Sequence, residues 1–99
     1  MVTKNKYQKI VFWGASLFLK EFLEQNPLNG YNIAGIIDKN KDRKGEKLGE
    51  YEIFSPEDLN ILNPSVIIIS IIHFSAERKK EIKNYIKKNS LKKIRVIGI

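Results

Sequence analysis

The chain has no cysteine and a single histidine, His73. Without a thiol there is no disulfide framework, no thiol nucleophile and no thiolate metal site. One imidazole cannot supply the several histidines of a zinc centre, so no metal site is expected. No apolar run approaches the roughly 18 residues that a membrane-spanning helix needs; the longest, Val66 to Ile72, is interrupted by Ser70. The opening residues, Met1-Val2-Thr3-Lys4-Asn5-Lys6, carry neither the apolar stretch nor the small-residue cleavage site of a secretion signal. A secreted disulfide scaffold, a zinc finger and a helical membrane protein are excluded, and a cytoplasmic location is expected.

What is present is ordinary for a folded domain. Ninety-nine residues, 42% hydrophobic and 29% charged, suit one globular unit over residues 1–99, with 1–8 expected as a flexible tail. The net charge of +7 is unevenly placed. Between Glu77 and Arg95 stand nine basic residues against two acidic ones, whereas Ile10 to Ala76 is net acidic. A basic helix is a possible phosphate-backbone footprint. The bland reading is stronger: Ile, Lys and Asn fill 40 of the 99 positions (16, 15 and 9), a bias expected of an AT-rich genome. The basic stretch holds one aromatic, Tyr85, and so lacks a stacking platform for single strands. No specific nucleic-acid partner is expected.

Strand and helix alternate along the chain. Lys9 to Trp13 (KIVFW) is a short apolar run closed by Gly14, as in a buried parallel strand. Ser16 to Asn26 follows as a helix with Leu17, Phe18, Phe22 and Leu23 apolar, stopped by Pro27 and Asn29-Gly30. Tyr31 to Ile37 is the second strand, with Asp38 at its end; Lys39 to Glu50 reads as a charged loop; Tyr51 to Phe54 is the third strand. Ser55-Pro56-Glu57-Asp58 starts a short helix, with Ser as cap, Pro at the first helical position and acids in the first turn. Ser65 to Ile72 should be the central strand, Ser75 to Asn89 a helix burying Ile82, Tyr85 and Ile86, and Ile94 to Ile99 the last strand. Apolar strands separated by helices mean a parallel sheet covered on both faces. Right-handed crossovers lead to a doubly wound, mainly parallel sheet of five strands in order 3-2-1-4-5.

In such a sheet, ligands lie beyond the carboxyl ends of the strands where the strand order reverses. That places the turn Gly14-Ala15-Ser16-Leu17 opposite the end of strand four, Ser70 to Phe74. Gly14 suits a backbone conformation closed to other residues, and the following helix N-terminus offers N–H groups to a phosphate. Asp38 lies 24 residues beyond Gly14, where a dinucleotide fold places the acid that bonds ribose hydroxyls. Arg43 and Lys44 offer alternative phosphate contacts. His73 stands inside the presumptive cleft, but no orienting partner or nucleophile is identifiable, so no catalytic residue is assigned. The candidate ligand-binding residues are Gly14, Ala15, Ser16, Leu17, Asp38, Ser70 and His73.

Several of these segments resemble a known group of domains. Lys9 to Ser16 (KIVFWGAS) resembles the "KIVIFGAG" or "GAS" opening of small Rossmann-like modules in bacterial polysaccharide biosynthesis. Ile33 to Asp38, then Gly45 to Gly49 and Tyr51 to Leu59, are similar to their "VVGFID…GKKLGGYPVFSPEDL" pattern. Asn63 to Ser70 resembles their "PDYVIIAS". Such modules stand at the front of nucleotide-sugar dehydratases and epimerases and of sugar N-acyltransferases; related versions follow methyltransferase domains, and CoA-binding domains share the layout. The resemblance implies a three-layer Rossmann-like fold. The fingerprint G-x-G-x-x-G of that fold falls on Gly14, Ser16 and Leu19, and only the first is glycine. Bulky Leu19 argues against NAD held in the usual way.

The expected function is therefore a nucleotide- or nucleotide-sugar-binding module of bacterial surface-polysaccharide metabolism, a binding domain rather than a complete enzyme. NAD(P) and nucleotide-sugars are both candidate ligands, and a fused or paired sugar-modifying domain is the expected partner. Two alternatives stand beside it: the NAD(P)-binding fragment of a nucleotide-sugar epimerase or dehydratase, and a protein-interaction module without a ligand.

Overall fold

The computed structural model describes residues 8–70, 76–89, 91 and 94–98. Six strands form one sheet: β1 (Lys9–Trp13), β2 (Asn32–Ile37), β3 (Lys47–Leu48), β4 (Tyr51–Phe54), β5 (Val66–Ile69) and β6 (Arg95–Gly98). Among the described residues three α-helices accompany it: α1 (Leu17–Gln25), α2 (Leu59–Leu62) and α3 (Ala76–Lys88). The order is β3-β4-β2-β1-β5-β6, parallel except for β3, which runs antiparallel to β4. The doubly wound architecture is as expected from the alternation of elements, and the Rossmann-like layout is as the resemblance implies.

The strand count is corrected from five to six. The added strand, β3, lies in the stretch expected to be loop, and its two residues turn back through Gly49-Glu50 so that Leu48 pairs with Tyr51. Leu48 is 8% exposed and joins the core. A lone buried leucine among charged residues generates no readable period, which is why the pattern of the sequence does not disclose this hairpin. The same stretch also holds a short 3₁₀ turn, Lys41–Arg43, capped by the Asn40 side chain.

Alternation along the strands sorts the core into two layers. Ile10 and Phe12 of β1 join Ile36, Ile53, Val66 and Ile68 on one face, where α1 contributes Leu19. Val11 and Trp13 join Ile37, Ile67, Ile69 and Val96 on the other, under Leu59 of α2 and Ile82 and Ile86 of α3. Full burial of such side chains contributes about 1.5–3 kcal/mol each, so β1 and β5, which place buried residues on both faces, anchor both layers.

Local signals set the helix ends. Ser16 caps α1, its hydroxyl accepting the Leu19 N–H at 3.1 Å. A 3₁₀ turn, Pro56–Asp58, leads into α2, and the Ser55 N–H and hydroxyl both donate to the Asp58 carboxylate at 3.0 and 3.1 Å. Asn63, at φ 48°, ends α2 one residue before Pro64, a left-handed conformation that asparagine tolerates. Ile71, Ile72, Ser75 and Ile99, and the expected tail except Gln8, lie outside the described residues.

Candidate functional site

The strand order reverses between β1 and β5: β1 pairs with β2 on one side and β5 on the other. The turn leaving β1 is fastened from both directions. Gly14 donates its N–H to Ile37 O at 2.8 Å and takes φ 114°, a value that side chains with a Cβ rarely adopt. Ser16 donates its hydroxyl to Ser70 O at 2.9 Å while accepting from the helix. Ser70, fully buried, lies within hydrogen-bond distance of Trp13 O (3.1 Å) and Gly14 O (3.0 Å) through its own hydroxyl. Its side chain therefore joins β5 to the turn rather than facing open space.

Asp38 closes the other side. Its carboxylate accepts the Ala15 N–H at 3.0 Å through Oδ2 and the Asn40 N–H at 2.8 Å through Oδ1. The Arg43 guanidinium donates to Ala15 O and stands 4.0 Å from Asp38 Oδ2. Both polar backbone groups of Ala15 are thus held by side chains from the loop after β2. A carboxylate has about four acceptor positions; two of Asp38's are used by the backbone, and its side chain remains 20% exposed.

Over this turn lies a cavity of about 310 Å³ lined by Trp13, Gly14, Asp38, Lys39 and Arg78. Two cations and a carboxylate at its wall suit a polar, anionic ligand. Lys39 also pairs with Glu81 of α3 at 2.5 Å, and this hydrogen bond holds the Glu81 carboxyl below the usual carboxylate range, aided by Arg78 at 3.6 Å. Leu17, the first residue of α1, is 69% exposed. The first N–H groups of α1, those of Leu17 and Phe18, precede the first intrahelical bond, from Lys20 N to Ser16 O at 3.1 Å.

Of the residues expected at a ligand site, Gly14, Ala15, Ser16, Asp38 and Ser70 are joined by hydrogen bonds, and Leu17 borders the group. His73 lies outside the described residues. Trp13, Lys39 and Arg78 were not expected there. Trp13 read as a plain strand residue, and Arg78 as one charge among many on a basic helix. Among the described residues no group of three or more His, Asp or Glu side chains is arranged to hold a metal. No helix among them is long and apolar enough to cross a membrane.

The model of the family described as C2185-like, N-terminal, matches residues 6–97. The chain belongs to this family. No curated protein matches it. Among solved structures, this C2185-like domain is similar to UDP-D-quinovosamine 4-dehydrogenase from Vibrio fischeri, with a TM-score of 0.69 and 20% identity over 93% of this chain and 77% of that one. It is also similar to RSP, a Rex-family repressor, with a TM-score of 0.64 and 12% identity over 93% of this chain and 52% of that one. RSP in complex with β-NAD⁺ and operator DNA gives 0.63 and 12%, over 93% of this chain and 50% of the other. The C2185-like domain spans about half the length of the RSP chains. At these identities the likeness establishes a Rossmann-like fold.

Proposed function

We propose that the chain is a nucleotide- or nucleotide-sugar-binding module of bacterial surface-polysaccharide metabolism, a single cytoplasmic domain over residues 1–99 that works with a sugar-modifying domain. The observation that carries this reading is the cavity over Gly14 and Asp38 at the strand-order reversal, walled by Lys39 and Arg78. Phosphate rests at the N-terminus of α1, on the Leu17 and Phe18 N–H groups, with Lys39 and Arg78 balancing its charge. A ribose hydroxyl takes an acceptor position left on Asp38. The similar fold of a UDP-D-quinovosamine 4-dehydrogenase, and of RSP solved with β-NAD⁺ and with β-NADH, supports a nucleotide as the ligand class.

A dinucleotide in the usual pose does not fit these residues. That pose needs a glycine-rich turn whose backbone approaches a pyrophosphate, and a small residue where helix and strand pack closely. Here the Ala15 N–H is occupied by Asp38, and the third fingerprint position is Leu19, fully buried in the core. A nucleotide-sugar anchored farther along the helix N-terminus avoids both obstacles.

The test is ligand-observed NMR with UDP-sugars, NAD, NADP, CoA and S-adenosylmethionine, on the parent and on Gly14→Val. Valine at φ 114° is strained, so the variant should distort the turn and lose binding. Transfer signals from a UDP-sugar, absent in a variant that far-UV circular dichroism shows to be folded, are the expected result. Undiminished binding by folded Gly14→Val, or silence from every nucleotide with the parent, overturns the reading.

A further inference from the structure

The cavity over Gly14 and Asp38 has a neighbour across Trp13. A second cavity, of about 370 Å³, shares Trp13 and Lys39 with it and adds Pro56, Asn84 and Tyr85 with the charged side chains of Lys41, Glu57, Glu81 and Lys88. Its floor is aromatic: the Trp13 and Tyr85 rings meet edge to face, with centroids 6.2 Å apart and planes at 69°. The first cavity is small and polar, with Asp38, Lys39 and Arg78 at its wall; the second sets two aromatic side chains, Trp13 and Tyr85, among charged ones. Charge stands at the border between them. Glu81, which lines the second cavity, pairs with Lys39 at 2.5 Å and with Arg78 at 3.6 Å, the two cations that line the first.

We infer that Glu81 is a built-in counter-ion that a ligand's phosphate must displace from Lys39 and Arg78, so that it both bars the passage between the two cavities and sets the preference of the site for anionic over neutral nucleosides. This rests on the nucleotide reading above and deepens it. The pair is suited to exchange. Lys39 and Glu81 are each about half exposed, at 55% and 48% of their side-chain surface, and ion pairs so placed are weakly held. A phosphate group carries more charge than a carboxylate and offers more acceptor oxygens to the same cations. The Lys39 hydrogen bond lowers the proton affinity of the Glu81 carboxyl further below the ordinary glutamate range, so at neutral pH it competes as a carboxylate.

Displacing Glu81 opens one continuous cleft. Each cavity alone lies near the lower end of the range typical of ligand pockets, about 300–1,000 Å³, and the two together fall within its middle. The joined cleft has a cationic part at Lys39 and Arg78 and an aromatic part at Trp13 and Tyr85. That sequence of surfaces matches a nucleoside diphosphate, phosphates on the first and base on the second.

Trp13 is the chain's one tryptophan and lines both cavities, so its fluorescence reports on the site. The experiment titrates UDP and uridine into the parent, Glu81→Gln and Lys39→Gln at low ionic strength, with circular dichroism verifying the fold of each. Glu81→Gln should tighten UDP roughly two- to tenfold, the scale of removing an exposed ion-pair partner, and shift uridine by less. Lys39→Gln should weaken UDP and again shift uridine by less. UDP binding that Glu81→Gln leaves equal or weakens, or a shift shared equally by uridine, overturns this inference while the nucleotide reading stands. Absence of UDP binding in both the parent and Glu81→Gln overturns the two together.

Discussion

Replacing Asp38 by alanine separates a carboxylate that builds the site from one that only meets a ligand. In the native chain that carboxylate accepts two backbone N–H groups, from Ala15 at 3.0 Å and from Asn40 at 2.8 Å, and lies 4.0 Å from the Arg43 guanidinium. Ala15 is 4% exposed, so its N–H has little access to water once the acceptor is removed. An orphaned buried donor costs about 1–3 kcal/mol, and the Asn40 bond, nearer the surface, adds about 1 kcal/mol. The expected loss for Asp38→Ala is therefore about 2–4 kcal/mol. At roughly 4–8 °C per kcal/mol for a domain of this size, the melting temperature falls by at least about 8 °C. Asp38→Asn keeps one acceptor oxygen and should recover about half of the loss. Urea titrations followed by far-UV circular dichroism give the free energies, and an unchanged m-value keeps the comparison two-state. A stability within about 0.5 kcal/mol of the parent for Asp38→Ala would refute the clamp, leaving Asp38 a ligand contact or a plain surface charge.

Two further outcomes are expected. Gly35→Ala places a Cβ 2.6 Å from Phe54 Cε2 and 3.2 Å from Glu52 O, an overpacking that costs about 1–3 kcal/mol; thermal denaturation should register it, and a double-mutant cycle with Phe54→Leu should show coupling rather than additivity. The Asp58 carboxyl is held below its ordinary range, chiefly by the Ser55 N–H and further by Lys44 and the Ser55 hydroxyl. A depressed folded-state value means that its contribution is complete above the unfolded carboxylate range, near pH 4, and is lost as pH falls through the lower folded value. Urea midpoints at pH 7 and pH 3 should therefore differ less in Asp58→Asn than in the parent, with the variant about 1 kcal/mol weaker at pH 7; identical pH dependence in both would remove Asp58 from the account.

Much of the fold was legible before any coordinates. The runs KIVFW and SVIII lack the alternation of a half-exposed strand, so both had to be buried on two faces, which requires helices above and below. Ser16 and Ser55-Pro56 marked helix starts because their chemistry satisfies N–H groups that every helix start leaves open. The order of the five parallel strands then followed from crossover handedness. These are local or pairwise rules, and the residues that obey them lie close together in the chain.

The site was legible only in outline. Position along the chain pointed to the Gly14 turn and to Asp38, because the end of a strand is a location that the pattern itself defines. The partners of those residues are another matter. Asp38 reaches Ala15 across 23 residues, Arg43 reaches Ala15 across 28, and Ser70 reaches Gly14 across 56. Lys39 meets Glu81 across 42 residues, on the border of two cavities that share Trp13. No periodicity or composition encodes such pairings, since they depend on which loops the sheet order carries to the same edge. The sequence alone thus determined the layers and the order of the five parallel strands, and it pointed to one end of the sheet for the candidate site. The tertiary structure decided that the Asp38 carboxylate is partly spent on the backbone, that Leu48 adds a sixth strand, and that Glu81 holds the cations facing the cleft, because contacts between distant segments exist only once the chain has closed around its core.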